Sequence, residues 1–219
     1  HFLSSLDGKP PKRASNIYVK ELFDGYSENF EEHLVEELKY DAPKKLINII
    51  RKQNKDSFGA VLDLGCGTGL LGEKIKPFCN RLVGVDLSDK MLSKAKKKGI
   101  YDELAHQDIK EFISSQQLQY NYYIFTDVFI YIGDLRDIFS IIKKRSEVGG
   151  SLVFTTEDTE KNDYFLEKSG RFSHSKKYIE CLSQEFGYQI IHSEIQNLRL
   201  ENGKFIPGRY YLLEFGEQQ

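Results

Sequence analysis

No apolar run in this chain nears the roughly 18–20 residues needed to cross a bilayer, so no membrane-spanning helix is expected. Charge of one sign is also scarce. The formal net charge is −2, and without a basic excess nucleic-acid binding has no support. Cysteine is rare. Cys66, Cys79 and Cys181 are odd in number and lack the spacing of metal ligands. A disulfide framework and a bound metal are therefore not expected, and a reducing, cytoplasmic setting is. No period of about 20–50 residues recurs, which argues against a solenoid or a propeller. No secretory leader is read. The first residue is His1 rather than Met, as expected of a piece of a longer protein or of a retained tag residue.

What is there suits a globular α/β chain. The 219 residues are 40% hydrophobic and 29% charged, enough for one large domain with an added lobe. Residues 1–16 are polar, contain Pro10-Pro11, and read as an arm or linker. Residues 17–55 read as a helical lobe. Val19, Leu22 and Phe23 mark one helix; Phe30, His33, Leu34 and Leu38 mark a second. Asp41 caps a third, with Pro43 in its first turn and Leu46, Ile47 and Ile50 on one face.

Residues 56–219 read as the core. Strand and helix patterns alternate from Ala60, which argues for a parallel sheet with helices on both faces. Strands are expected at Ala60–Leu64, Arg81–Val85, Glu103–His106, Tyr122–Thr126 and Ser151–Thr155. Ser88 caps the helix that Gly99 stops, and Asp134 caps another. Residues 157–174 read as a loop or short insertion, followed by a helix to Phe186. Tyr188–Ile195 and Arg209–Phe215 close the chain as an antiparallel hairpin, with Gly203 and Pro207-Gly208 between them.

Residues 61–69 read Val-Leu-Asp-Leu-Gly-Cys-Gly-Thr-Gly, an apolar strand entering a glycine loop that opens a helix. Glycines permit turns closed to other residues and let a ligand approach the main chain. Gly67, Gly69 and Gly72 also fit the dinucleotide fingerprint, and Asp86 lies 19 residues after Gly67, so spacing alone does not separate the two. Two features favour another ligand. Gly65 and Cys66 intervene between strand and fingerprint, and Asp63 places negative charge where a pyrophosphate would sit.

This loop resembles motif I of the class I S-adenosylmethionine-dependent methyltransferases, an acidic residue followed by Gly-x-Gly-x-Gly. The resemblance implies a three-layer Rossmann-like fold: a seven-stranded, mostly parallel sheet with a C-terminal antiparallel hairpin, here with an N-terminal helical lobe. It implies S-adenosylmethionine as cofactor and S-adenosylhomocysteine as product. Asp63, Gly65, Cys66, Gly67 and Gly69 would form the cofactor loop. Asp86 would take the ribose hydroxyls, and Leu87 and Met91 would pack on adenine. Asp108 would meet the adenine amino group with Ile109 on the ring, or cap the helix that follows; Met91 is equally a core residue. Asp127, in Thr126-Asp127-Val128-Phe129-Ile130-Tyr131, stands where motif IV faces the methionine part and the acceptor.

A closer resemblance runs nearly end to end. Glu21–Tyr26 with Phe30 and His33–Val35, Asp127-Val128 with Tyr131–Leu135, and Ser169–Ser175 look like bacterial methyltransferase domains that often follow tetratricopeptide repeats. His1–Leu6 would then be the tail of such a repeat region. The acceptor is expected to be a small molecule, with His174, Tyr131 and Tyr26 as candidate catalytic groups and His33 as a further base. Tyr26, Phe30, Phe129 and Tyr131 would form a lid or, as aromatics more often do, belong to the core, and Arg171 would be an anchor for an acidic group or a surface residue. Two other classes stay open: a module that binds the cofactor without transfer, and a nicotinamide-type oxidoreductase.

Overall fold

Alternate residues of the central strands belong to two different apolar cores, one on each side of the sheet. Leu62, Tyr123, Phe154 and Tyr211 join one core. Their chain neighbours Val61, Ile124, Val153 and Tyr210 join the other. Side chains alternate across a strand, so a strand that is apolar at every position must be covered on both faces. The computed structural model describes residues 11–26, 30–53, 57–146 and 149–216. The suggested repeat tail at His1–Leu6 and the junction near residue 55 lie outside them.

In chain order the helices are α1 (Asn16–Tyr26), α2 (Phe30–Glu32, continued by a π-helical turn His33–Glu37), α3 (Ala42–Arg51), α4 (Leu70–Ile75), α5 (Asp89–Lys98), α6 (Ile109–Ser115), α7 (Arg136–Arg145) and α8 (Lys176–Phe186). The strands are β1 (Gly59–Leu64), β2 (Cys79–Asp86), β3 (Glu103–His106), β4 (Tyr122–Phe125), β5 (Gly150–Asp158), β6 (Tyr164–Leu166), β7 (Phe172–His174), β8 (Gln189–Glu201) and β9 (Lys204–Phe215). The parallel strands run β3-β2-β1-β4-β5. Antiparallel β9 lies beside β5, and β8 pairs β9 at the edge. These seven strands are the expected mostly parallel sheet with its C-terminal hairpin.

Two strands were not foreseen. Of the two readings of residues 157–174 the short insertion holds rather than the loop: β5 runs on to Asp158, and β6 and β7 form a small hairpin paired to β5 at Glu157↔Ser173. Phe172 and Leu166 are buried there, and strands of three residues are too short for periodicity to register. The closing hairpin is also longer than expected. Its turn is Asn202-Gly203, both at positive φ, which suits a tight two-residue connection. Pro207-Gly208 lies inside β9, opposite a register shift between Asn197 and Arg199. Proline is tolerated at such a bulge because no ladder donor is required of it.

The arm is no free linker at its described end. Ala14 N donates to Tyr131 O at 2.8 Å, and Gly133 N and Asp134 N both donate to Lys12 O at 2.9 Å. This strap, α1 and α2 lie over the carboxyl ends of the parallel strands and roof a cleft. Among the described residues no helix is long and apolar enough to cross a membrane.

Candidate active site

The cleft has a volume of about 560 Å³, within the range of small-molecule sites. Its floor is the loop after β1. Gly65 N and Cys66 N donate to Val85 O at 2.8 and 3.1 Å, binding the loop to the end of β2. Gly67 N donates to Asp86 Oδ2 at 2.8 Å, and Ser88 N to Asp86 Oδ1 at 2.8 Å. Both carboxylate oxygens are thus aimed by main-chain donors. Burial raises the Asp86 acid above its ordinary range, and the Ser88, Gly67 and Leu87 amides oppose the shift. A Cβ on Gly67, at φ +54°, would meet nothing within 4 Å. This glycine faces open space in the cleft.

Asp63 is buried at the end of β1, and desolvation lifts its acid to about 7 against the bond from Tyr101. Tyr101 Oη donates to Asp63 Oδ2 at 2.7 Å. The same ring lies under Gly72, where a Cβ would come within 2.5 Å of its hydroxyl. Glycine at 72 therefore serves close packing against Tyr101. Tyr101 was missed in the sequence because only the fold brings it beneath the loop.

Asp108 caps α6, its Oδ1 accepting from Lys110 N and Glu111 N at 2.9 and 3.1 Å. Its Oδ2 accepts from Arg13 Nη2 of the strap at 2.6 Å. Leu87 and Ile109 line the cleft nearby. Met91 does not; it is fully buried in the core, with Met91 N donating to Ser88 Oγ at 3.2 Å.

At the other end, Asp127 has φ +60° and its amide donates to Thr155 Oγ1 at 2.9 Å. Arg199 Nη1 donates to both its carboxylate oxygens at 3.2 Å. The same guanidinium bonds Glu157, and Glu201 joins it to Arg171, whose Nη1 lies 2.5 Å from Glu201 Oε2. Arg199 is 2% exposed, so this network is a buried charge cluster in the cleft wall. The carboxylates hold the Arg199 acid above its ordinary range despite desolvation. Arg199 lies between Leu198 and Leu200 near the end of a largely polar strand, so nothing in its local sequence announced the cluster. Thr126 Oγ1 is buried beside it with no partner among the described residues.

The candidate catalytic groups separate. Tyr26 and Tyr131 line the cleft. Phe23, which also lines it, meets Tyr131 edge-on at 5.6 Å. Burial pushes the Tyr131 phenol to about 12. His174 does not reach the cleft. It is fully buried, its Nε2 bonds the Ile132 and Gly133 carbonyls at 2.9 and 3.0 Å, and its ring stacks on Tyr178. Burial lowers its acid to about 4, so it is a neutral packing residue. Phe129 is likewise core, against Phe125 at 4.6 Å and Phe154 at 5.1 Å. His174 thus leaves the candidate catalytic groups and Phe129 the expected lid. Among the described residues no group of three or more His, Cys, Asp or Glu side chains is placed to hold a metal ion.

Sheet order, glycine loop and the acid at the end of β2 together define a class I S-adenosylmethionine-dependent methyltransferase fold. A profile described as a methyltransferase domain matches residues 32–193. The chain belongs to this methyltransferase-domain family, whose class uses S-adenosylmethionine as cofactor. A protein of Geobacillus sp. (strain WCH70) named as a methyltransferase is 27% identical over 186 residues, covering 78% of this chain and 74% of that one. An uncharacterized methyltransferase of Schizosaccharomyces pombe is 38% identical over 58 residues, covering 26% of this chain and only 22% of its own length. An S-adenosylmethionine-dependent methyltransferase from Clostridium acetobutylicum shares the fold, with a TM-score of 0.61 at 22% identity over 86% of this chain and 97% of that one. The alternatives of a nicotinamide enzyme and of a silent binding module find no support in these matches.

Proposed function

We propose that this chain moves a methyl group from S-adenosylmethionine to a small-molecule acceptor in the cleft. The observation that carries the reading is the paired hold of Gly67 and Ser88 on Asp86, beside open space at Gly67. The cofactor fits that space against the protein main chain, and the Asp86 carboxylate has lone pairs left for ribose hydroxyls. In this reading Gly65, Cys66, Gly67 and Gly69 form the cradle. Leu87 and Ile109 pack on adenine, and Asp108 borders it through the strap. Asp63 and Thr126 face the amino-acid part. Asp127, fixed by Arg199, marks where the methyl group emerges.

The bound sulfonium supplies an already activated methyl group. The protein's task is to hold an acceptor in line and close, and alignment of this kind supplies much of a rate enhancement. Arg13 bonding Asp108, and the strap bonding residues 131–134, cover the cleft and exclude water. Tyr26 and Tyr131 wall the acceptor end. A cytoplasmic setting, and a place after tetratricopeptide repeats in a longer chain, belong to the same proposal. The repeat context rests on the likeness of Glu21–Tyr26 and Ser169–Ser175.

Calorimetry with S-adenosylmethionine, S-adenosylhomocysteine and NAD tests the reading. Binding of the first two and not the third is expected. Tight NAD binding with no response to the others overturns it.

A further inference from the structure

The π-helical turn His33–Glu37 crosses the roof of the cleft. Leu38 N donates to His33 O at 3.0 Å, the five-residue step that defines the turn. Such turns are rare and are frequent at functional sites. Two anchors fix its ends. Glu31 Oε1 lies 2.6 Å from Lys98 Nζ, which also reaches Glu73 of α4, the helix opened by the glycine loop. Leu38 O accepts from Leu200 N at 2.7 Å, one residue beyond the arginine that holds Asp127. The turn is therefore tied at one end to the glycine-loop helix and at the other to the strand whose arginine holds Asp127.

His33 lines the cleft within this turn. Its Nδ1 lies 3.0 Å from Glu37 Oε2. A carboxylate accepts, so Nδ1 carries the proton and Nε2 keeps its lone pair. Nε2 has no partner among the described residues, and the Tyr26 ring stacks on the imidazole at 6.4 Å. The other acids of the cleft are committed: Asp63 to Tyr101, Asp86 to Gly67 and Ser88, Asp108 to Arg13, Asp127 to Arg199, Asp134 to Lys12 and the Arg136 amide, and Asp137 to Lys110. Tyr131, with its acid pushed to about 12, keeps its proton at neutral pH. The imidazole, stacked on Tyr26 and partly open to solvent, lines the cleft that Phe23, Phe30 and Tyr131 also line, and these aromatic walls suit a flat ring.

We propose that His33 is the general base of this site, that Glu37 positions it, and that the acceptor is a phenol. Nε2 takes the phenol proton while an oxygen lone pair forms the new O–C bond. The S–C bond breaks with its electron pair on sulfur, leaving a neutral thioether, a methyl ether and an imidazolium that returns its proton to water. The inference rests on the methyl-transfer reading above, and S-adenosylhomocysteine calorimetry separates the two.

The test uses labelled S-adenosylmethionine with phenol, catechol and 4-hydroxycinnamate, and benzoate as an acceptor that requires no base. The wild-type chain is expected to form methyl ethers and to leave benzoate unchanged. His33→Ala is expected to lower kcat at least about 100-fold, the floor for a lost general base. KM and S-adenosylhomocysteine affinity should stay within about threefold, and free imidazole should restore turnover, which a structural role would not allow. Glu37→Gln should lower kcat with KM unchanged. In the full chain without any ligand, 15N NMR of His33 should show the Nδ1–H tautomer, shifted toward Nε2–H by Glu37→Gln. A panel silent with S-adenosylhomocysteine bound, turnover of benzoate alone, an undiminished His33→Ala, or an Nε2–H tautomer in the wild type would each overturn the proposal. Failure to bind S-adenosylhomocysteine overturns it together with the methyl-transfer reading.

Discussion

Replacing Gly67 by leucine separates ligand contact from folding. Gly67 sits at φ +54° and a Cβ there meets nothing within 4 Å, so no steric clash opposes the side chain. The cost to folding is the left-handed backbone, about 1–2 kcal/mol for a residue with a Cβ. For a chain of this length that lowers Tm by roughly 2–8 °C. The cost to binding is larger, because four carbons would fill the space against which the cofactor lies. A loss of at least about 2.7 kcal/mol, or 100-fold, in S-adenosylhomocysteine affinity is expected. Gly72→Leu provides the contrast. Its Cβ would lie 2.5 Å from the Tyr101 hydroxyl, so binding and fold should fail together. Calorimetry beside thermal melts reads both quantities. A Gly67→Leu chain that melts near the wild type and binds within threefold of it would refute the placement of the cofactor on this loop.

Asp86→Ala should weaken S-adenosylhomocysteine by about 1.5–3 kcal/mol, the range for hydrogen bonds to a charged group, which calorimetry reads as roughly 10–150-fold. An unchanged affinity would leave Asp86 only its bonds to Gly67 and Ser88. Asp63 is raised from 3.8 unfolded to about 7 folded, so the folded chain holds one more proton between those values. Its stabilising contribution is full below about 4 and is lost as pH rises through 7, with a slope of at most about 1.4 kcal/mol per unit. Urea melts between pH 5 and 8 should show this decline, and Asp63→Asn should remove it; parallel curves would refute the assignment. Arg199→Met strands Asp127 and Glu157 without their partner, and urea unfolding should show a loss of about 3–5 kcal/mol. A loss under about 1 kcal/mol would mean that the cluster is solvated.

The local pattern of residues was sufficient for the seven main strands, for a glycine loop between β1 and α4, and for an acid at the end of β2. Those features depend on the period of apolar residues and on glycine at fixed spacing, which are properties of neighbours along the chain. The capping roles of Ser88 and Asp108 were legible for the same reason: a cap acts on amides two or three residues ahead. Tertiary structure alone decided what lies across the cleft. Arg13 meets Asp108 over a separation of 95 residues, and Arg199 meets Asp127 over 72. Nothing in either segment announces its partner. His174 was misread because a histidine in a polar stretch looks accessible; folding of β7 against the Ile132 and Gly133 carbonyls buries it. Phe129 stayed open between lid and core because an aromatic beside motif IV serves as either, and packing against Phe125 and Phe154 makes it core. Periodicity tells which residues face inward, but the identity of the partner depends on how distant segments are brought together, and that is fixed only by the packing of the whole chain.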